Sequence, residues 1–181
     1  MVDFKLETLA DAVLRERLLH AAFGQGRFRK TAEKLRRGFM PAEGLAFTTL
    51  DEAGHLIGTL RFWNITAGTA GDALLLGPIA IAEHRRNEGL GAMMMRRGLA
   101  QAQWLGHKAV ILVGDEPYYR RFGFGAEAVA RLTLPGPVER ARFLGLALEP
   151  GALHGAEGLV TASGRALPAP LPKAAAIKRR V

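Results

Sequence analysis

The chain has no cysteine among its 181 residues. That excludes disulfides, thiolate metal sites and any covalent cysteine intermediate. It also has no apolar run near the roughly 20 residues that cross a bilayer, so no membrane partner is expected. Its first residues, Met1-Val2-Asp3-Phe4-Lys5, lack the basic-then-apolar pattern of a signal peptide, and the expected location is the cytoplasm. The histidines His20, His55, His84, His107 and His154 fall into no HxH, HxxxH or HExxH spacing, so no metal is expected. Acidic residues are the minority, 17 against 25 Lys and Arg, which gives a formal net charge of +8. Such a surplus suits a polyanionic ligand. However, its two dense pieces, residues 27–37 and 178–180, are accompanied by no array of stacking aromatics. They read as a solvated helix face and a basic tail, with no nucleic-acid partner.

Hydrophobic residues make up 49% and charged residues 23%, the balance of a globular protein. The length suits one domain, expected over residues 1–162. From 163 to 181 the small residues and Pro168, Pro170 and Pro172 mark a Pro/Ala-rich basic tail with little to bury, expected to be flexible. Alternation at Phe4-Lys5-Leu6-Glu7 predicts a first strand. Asp11 caps a helix through Phe23, with Ala12, Leu14, Leu18, Leu19 and Ala22 as its apolar stripe. A short basic helix follows over residues 31–37, closed by Gly38. Residues 44–50 and 55–65 read as a hairpin around Asp51-Glu52-Ala53-Gly54. In its second strand Arg61 and Trp63 share a face. They are candidates for the substrate side, against the plainer reading of a packed Trp with Arg61 exposed.

The organising stretch is 73–124. Leu74 to Ile81 is almost continuously apolar, as in a strand buried on both faces. Gly77-Pro78 interrupts it, and proline donates no ladder hydrogen bond, so the strand is expected to bulge or splay there. A charged turn with Glu83, Arg85 and Arg86 leads to Gly89-Leu90-Gly91. The next helix carries Gly91, Met94, Met95, Gly98, Leu99, Ala102 and Leu105 on one stripe. Glycines at a helix start let backbone N–H groups converge on an anion. The third glycine of a dinucleotide fingerprint is absent, its place taken by Met94, and no Gly-Lys-Ser/Thr follows. A second buried strand, 109–113, leads to Pro117, Tyr118 and Tyr119 in a short helix. Strands at 129–134 and 142–148 and an edge strand at 158–162 complete the pattern.

Arg86-Asn87-Glu88-Gly89-Leu90-Gly91 resembles the R/Q-x-x-G-x-G/A signature of the GNAT N-acetyltransferase superfamily. Tyr119-Arg120-Arg121-Phe122-Gly123-Phe124 resembles its Y-x-x-x-G-F element, at the family's distance downstream. The run looks most like the bacterial YhbS-like branch, over roughly residues 3–150. One departure is Glu83, where the family often has proline. The resemblance implies an α+β (α/β) GNAT fold: a central mixed, mostly antiparallel sheet splayed at the fourth strand and flanked by helices. It implies an acyltransferase that moves acetyl from acetyl-CoA to a primary amine, with homodimers common in the family.

By the same resemblance, Ile79, Ala80 and Ile81 pair with the pantetheine arm. Amides of Arg86, Asn87, Glu88, Gly89, Leu90, Gly91 and Ala92 hold the pyrophosphate, and an N–H near Ile81 polarises the thioester. Tyr119 is the expected general acid, and Tyr118 is its alternate or a wall of the thioester pocket. Unperturbed phenol and thiol pKa values differ by about 1.5 units, so a modest local shift suffices for that transfer. The missing cysteine agrees with direct attack in a ternary complex. Glu83 is the tentative base, alongside Asp115, Glu116 or a water chain. A non-catalytic acyl-CoA-binding module is the alternative.

Overall fold

The computed structural model describes residues 2–168. Its strands are β1 (Asp3–Leu6), β2 (Ala46–Leu50), β3 (Leu56–Ala67), β4 (Asp72–Ile81), β5 (Ala109–Val113), β6 (Arg131–Thr133), β7 (Phe143–Ala147) and β8 (Glu157–Ala162). The helices are α1 (Ala12–Phe23), α2 (Thr31–Lys34), α3 (Leu90–Trp104) and α4 (Glu116–Tyr119). One eight-stranded sheet runs β1-β2-β3-β4-β5-β7, with β8 beside β3 and β6 beside β8. Among the described residues, only β4–β5 and β6–β8 pair in parallel. The expected mixed, mostly antiparallel sheet flanked by helices is the fold observed.

The strands alternate between two cores because successive side chains leave opposite faces of the sheet. Leu60, Phe62, Leu74, Leu76, Val110 and Leu112 face Met94, Met95, Leu99 and Ala102 of α3. Trp63, Ile65, Leu75 and Ile111 face the other way, onto Leu35, Val129, Leu132, Phe143 and Val160. Met94 and Met95 are fully buried, so these methionines fill the core. Gly98 lets α3 lie close to the sheet: a Cβ there would stand 2.7 Å from Leu60 and 2.9 Å from Phe62. On the opposite face α1 seats Leu18 and Leu19 against Ala80.

Three local expectations change. The basic helix expected over 31–37 is a single turn, preceded by a 3-10 stretch at Gln25–Arg29. So short a helix does not stand alone. It is held by the Thr31 hydroxyl and the Lys34 ammonium, which donate to the carbonyls of Pro137 and Pro135. The strand expected from 129 starts at Arg131, because Glu127–Val129 winds into a 3-10 turn that puts Val129 in the core. The chain also remains tied down beyond 162. Met40 donates to the carbonyl of Arg165 at 2.8 Å, and Leu167 donates to Gly38 at 2.8 Å. The rest of the expected tail, 169–181, lies outside the described residues.

Candidate active site

β4 is one residue longer than its partner β3 at the expected break. Leu60 pairs with Ile79 and Phe62 with Leu76, so Gly77-Pro78 supplies the extra residue of a bulge. The indole N–H of Trp63, on β3, donates to the Gly77 carbonyl at 2.6 Å. That satisfies a backbone acceptor the bulge removes from the ladder. On its other edge β4 meets β5 only at Leu74–Val110 and Leu75–Ile111. Beyond Leu75 the two strands part, and β5 continues alone against β7.

The free edge has a definite chemistry. Ala82 donates to Ile57 at 2.8 Å. In an antiparallel ladder, hydrogen-bonded and non-bonded pairs alternate. Ile79 and Ile81 therefore turn their N–H and C=O groups away from β3, toward the edge that β5 has left. Ala80 points its side chain into the α1 packing, while Ile79 and Ile81 lie against the α3 core.

The turn after β4 is shaped by two residues in the left-handed region, Asn87 at φ 67° and Gly89 at φ 78°. Arg85 braces it by pairing with Glu88 at 2.8 Å. The first N–H groups of α3, from Leu90 through Ala92, have no partner within the helix, as at any helix start. Gly91 carries a spatial requirement, since a Cβ there would lie 3.0 Å from the Tyr118 hydroxyl.

These parts enclose a cleft of about 270 Å³ lined by Ala22, Phe23, Ile79, Ala80, Ile81, Arg86, Gly91 and Tyr118. The wall formed by Ala22 and Phe23 was not found in the sequence. Its one signal was an aromatic at the helix end, directly before Gly24. Asn87, Glu88, Gly89, Leu90 and Ala92 sit in the turn and helix start beside the cleft rather than in its lining. Glu83 opens a 3-10 turn one residue beyond Ala82 and is exposed. Of the other carboxylates considered, Asp115 lies 3.3 Å from Arg142 and Glu116 is paired with Arg120.

The two tyrosines occupy different places. Tyr118 stands at the glycine turn, with the Arg121 guanidinium 4.7 Å from its ring centre. Tyr119 packs edge-on against it at 5.0 Å and lies against Gly114, at the end of β5 where the strands part. A Cβ on Gly114 would stand 2.1 Å from the Tyr119 ring, another requirement the sequence did not reveal. Burial pushes the Tyr119 phenol up to about 12, and Tyr118 and Asp115 add to the effect against Arg142. Burial likewise raises Tyr118, against the pull of Arg121 and Arg96. The expected local shift toward the thiol thus runs the other way, because the hydrophobic surroundings penalise the phenolate.

Arg61 and Trp63 do share a face, 5.7 Å apart, but neither is part of the cleft lining. Arg61 is engaged by Glu7, which it reaches through Nε at 2.7 Å and which Arg15 also meets. Trp63 is buried in the core, with its indole on the bulge. Among the described residues no group of three or more His, Cys, Asp or Glu could hold a metal ion.

The model of the acetyltransferase (GNAT) family matches residues 13–132. The chain belongs to the GNAT family. It is 30% identical over 157 residues to the Escherichia coli K12 N-acetyltransferase YhbS, across 86% of this chain and 93% of that protein. The crystal structure of E. coli YhbS in complex with CoA superposes with a TM-score of 0.75 at 28% identity, covering 90% of this chain and 89% of the other. A GNAT acetyltransferase from Brucella melitensis, in complex with acetyl-CoA, gives 0.60 at 27% identity over 83% and 90%. The protein is a YhbS-like GNAT acyltransferase. No helix among the described residues is long and apolar enough to cross a membrane.

Proposed function

We propose that the protein transfers acetyl from acetyl-CoA to a primary amine by direct attack in a ternary complex. The observation that carries this is the open edge of β4, Ile79 to Ile81, meeting the glycine turn and Tyr118 in one cleft. The YhbS and Brucella relatives, crystallised with CoA and acetyl-CoA, support the choice of donor.

When bound, acetyl-CoA supplies an activated acyl group. Ile79 and Ile81 offer the free N–H and C=O groups that hold its pantetheine amides as an added strand would. The unpartnered amides from Leu90 to Ala92, with Arg86, hold the pyrophosphate. A cradle that even one Cβ at Gly91 would crowd fits a diphosphate lying directly on backbone. The Ile81 N–H polarises the thioester carbonyl as charge develops on its oxygen. The amine nitrogen forms the N–C bond while the C–S bond breaks. Of the three carboxylates, Glu83 has no ion pair among the described residues, and the amine proton leaves to it through water.

Tyr119, where β4 and β5 part, donates a hydrogen bond to the departing thiolate. Complete proton transfer from a phenol at about 12 to a thiol near 8.5 would cost about 5 kcal/mol. Its role is therefore to stabilise the leaving group while staying protonated at neutral pH. Tyr118 forms the wall of the turn.

The test is calorimetric titration with acetyl-CoA, followed by thiol release across a panel of amines. Absence of binding at millimolar acetyl-CoA defeats the reading. Acetyl bound covalently to the protein without an acceptor, seen by mass spectrometry, defeats direct attack.

A further inference from the structure

Four strands meet in one row beside the donor edge. The Glu7 N–H extends the β1–β2 ladder to the Ala46 carbonyl at 2.8 Å, and Ala46 pairs with Arg61 on β3. Leu60 pairs with Ile79 and Phe62 with Leu76, so Arg61 is the β3 residue that faces Gly77 and Pro78 of the bulge. Residues in one row of a sheet share a face, and two strand spacings separate Glu7 from Arg61 by about 10 Å. The small Ala46 side chain lies between them and leaves that path open. Over it the Glu7 carboxylate accepts from two N–H groups of the Arg61 guanidinium, one of them Nε at 2.7 Å. It accepts a further bond from Arg15 of α1. The Glu7 side chain is 6% exposed, and no step of the transfer involves it.

Each arginine leads to a different boundary of the Ile79–Ile81 segment. Arg61 stands 5.7 Å from the centre of the Trp63 ring, and the Trp63 indole holds the Gly77 carbonyl. Arg15 is an anchor of α1, which buries Arg15, Leu18 and Leu19 and leaves Val13, Leu14 and Phe23 exposed. The two leucines are adjacent and seat against Ala80. A single such seat lets a helix pivot, whereas Arg15, one turn earlier on the same face, fixes its direction. That direction decides where Ala22 and Phe23 stand as a wall of the cleft. We propose that Glu7 is a positioning residue of the donor site, setting the β4 bulge through Arg61 and the α1 wall through Arg15. This rests on the acetyltransferase reading and adds to it a residue that touches neither acetyl-CoA nor acceptor. Removing one member of a buried ion cluster leaves the other charges unpaired, so both arms should move when Glu7 is neutralised.

The experiment compares acetyl-CoA affinity by calorimetry at a temperature where circular dichroism shows each variant fully folded. Glu7→Gln keeps the shape and removes the charge, and its affinity should fall about tenfold. Arg15→Met and Arg61→Met each break one arm and should each lose part of that. Added to Glu7→Gln, either should cost less than about twofold more, because the link it breaks is already gone. Leu153→Ala, a core deletion against Gly145 of β7, should lower Tm and leave affinity unchanged. In a Trp104→Phe background Trp63 is the one remaining tryptophan, and Glu7→Gln should shift its emission while Leu153→Ala should not. Natural affinity in folded Glu7→Gln, an equal loss in Leu153→Ala, or full additivity of the arginine substitutions with Glu7→Gln overturns the proposal. If Glu7→Gln does not fold, the arginine variants decide, and natural affinity in both overturns it. Absence of binding by the natural protein removes the donor reading and this role with it, whereas binding that survives intact in Glu7→Gln removes the role of Glu7 alone.

Discussion

Replacing Trp63 by Phe tests whether the bulge in β4 is held open from behind. Trp63 is 7% exposed, and its indole N–H is the partner of the Gly77 carbonyl at 2.6 Å. Phe keeps the aromatic ring but removes the donor, and an unsatisfied buried acceptor costs about 1–3 kcal/mol. The lost ring atoms leave a small void that adds about 1 kcal/mol. The expected destabilisation is about 2–4 kcal/mol, which for a chain of this length lowers Tm by roughly 5–15 °C. Circular dichroism during urea unfolding measures this independently of indole signals. Trp104, 79% exposed, is the control: Trp104→Phe should stay within about 0.5 kcal/mol. The functional consequence follows from position, since Gly77-Pro78 sets where Ile79 and Ile81 present their free amides. Acetyl-CoA affinity should fall about three- to tenfold by calorimetry. A Trp63→Phe protein as stable as the natural one refutes the anchoring role. A destabilised protein with unchanged affinity shows instead that the indole supports only the core.

Four further outcomes follow from the site and its surroundings. Tyr119→Phe should lower kcat about 10²-fold or more with little change in acetyl-CoA affinity; Tyr118→Phe should act mainly on affinity, and the reverse pattern would exchange their roles. Because burial places the Tyr119 phenol at about 12, it stays protonated below that value, so kcat should show no alkaline fall near pH 10; a limb there contradicts the assignment. Gly114→Ala, whose Cβ would stand 2.1 Å from the Tyr119 ring, should displace that ring and reduce kcat at least tenfold, and wild-type kinetics would disprove the close packing. Asp11 loses solvation on burial, yet bonds from Lys5 and Thr8 outweigh this and bring its carboxyl down to about 2. A depressed carboxyl stabilises the fold above its unfolded pKa near 3.9, and the contribution fades as pH falls toward 2. After discounting for solvent screening this is about 1 kcal/mol, readable as a smaller acid-induced drop in Tm for Asp11→Asn.

The break in β4 and the glycine turn were legible because their chemistry is local. A proline in a buried strand cannot complete the ladder, so Gly77-Pro78 announced a break before any pairing was known. Glycines at a helix start have equally local consequences, and Gly89 at φ 78° with Gly91 beside the Tyr118 hydroxyl are where the spacing put them. Alternation in β3 correctly put Arg61 and Trp63 on one face. It could not say what covered that face. Glu7, some fifty positions away, takes up Arg61 with Arg15, a contact created only when β1 pairs with β2. The place of Phe23 was hidden for the same reason: the helix end reaches β4 through tertiary packing that no local period encodes.

The tyrosine pair shows why motif spacing and geometry answer different questions. Consecutive residues in a helical turn point about 100° apart, so Tyr118 and Tyr119 cannot serve the same spot. Spacing to Gly123 selects Tyr119, but it cannot report that Tyr118 takes the turn beside Gly91 while Tyr119 enters the wedge beside Gly114. Nor can it report the sign of the pKa change, which depends on how much apolar surface surrounds each ring. A phenol raised to about 12 makes a poor equilibrium acid for a thiolate, yet it remains a neutral hydrogen-bond donor at any physiological pH. Burial that weakens Tyr119 as an acid therefore secures it as a donor. In the mechanism we propose, catalysis through that residue rests on differential hydrogen bonding to the charge that appears on sulfur, not on moving a proton downhill.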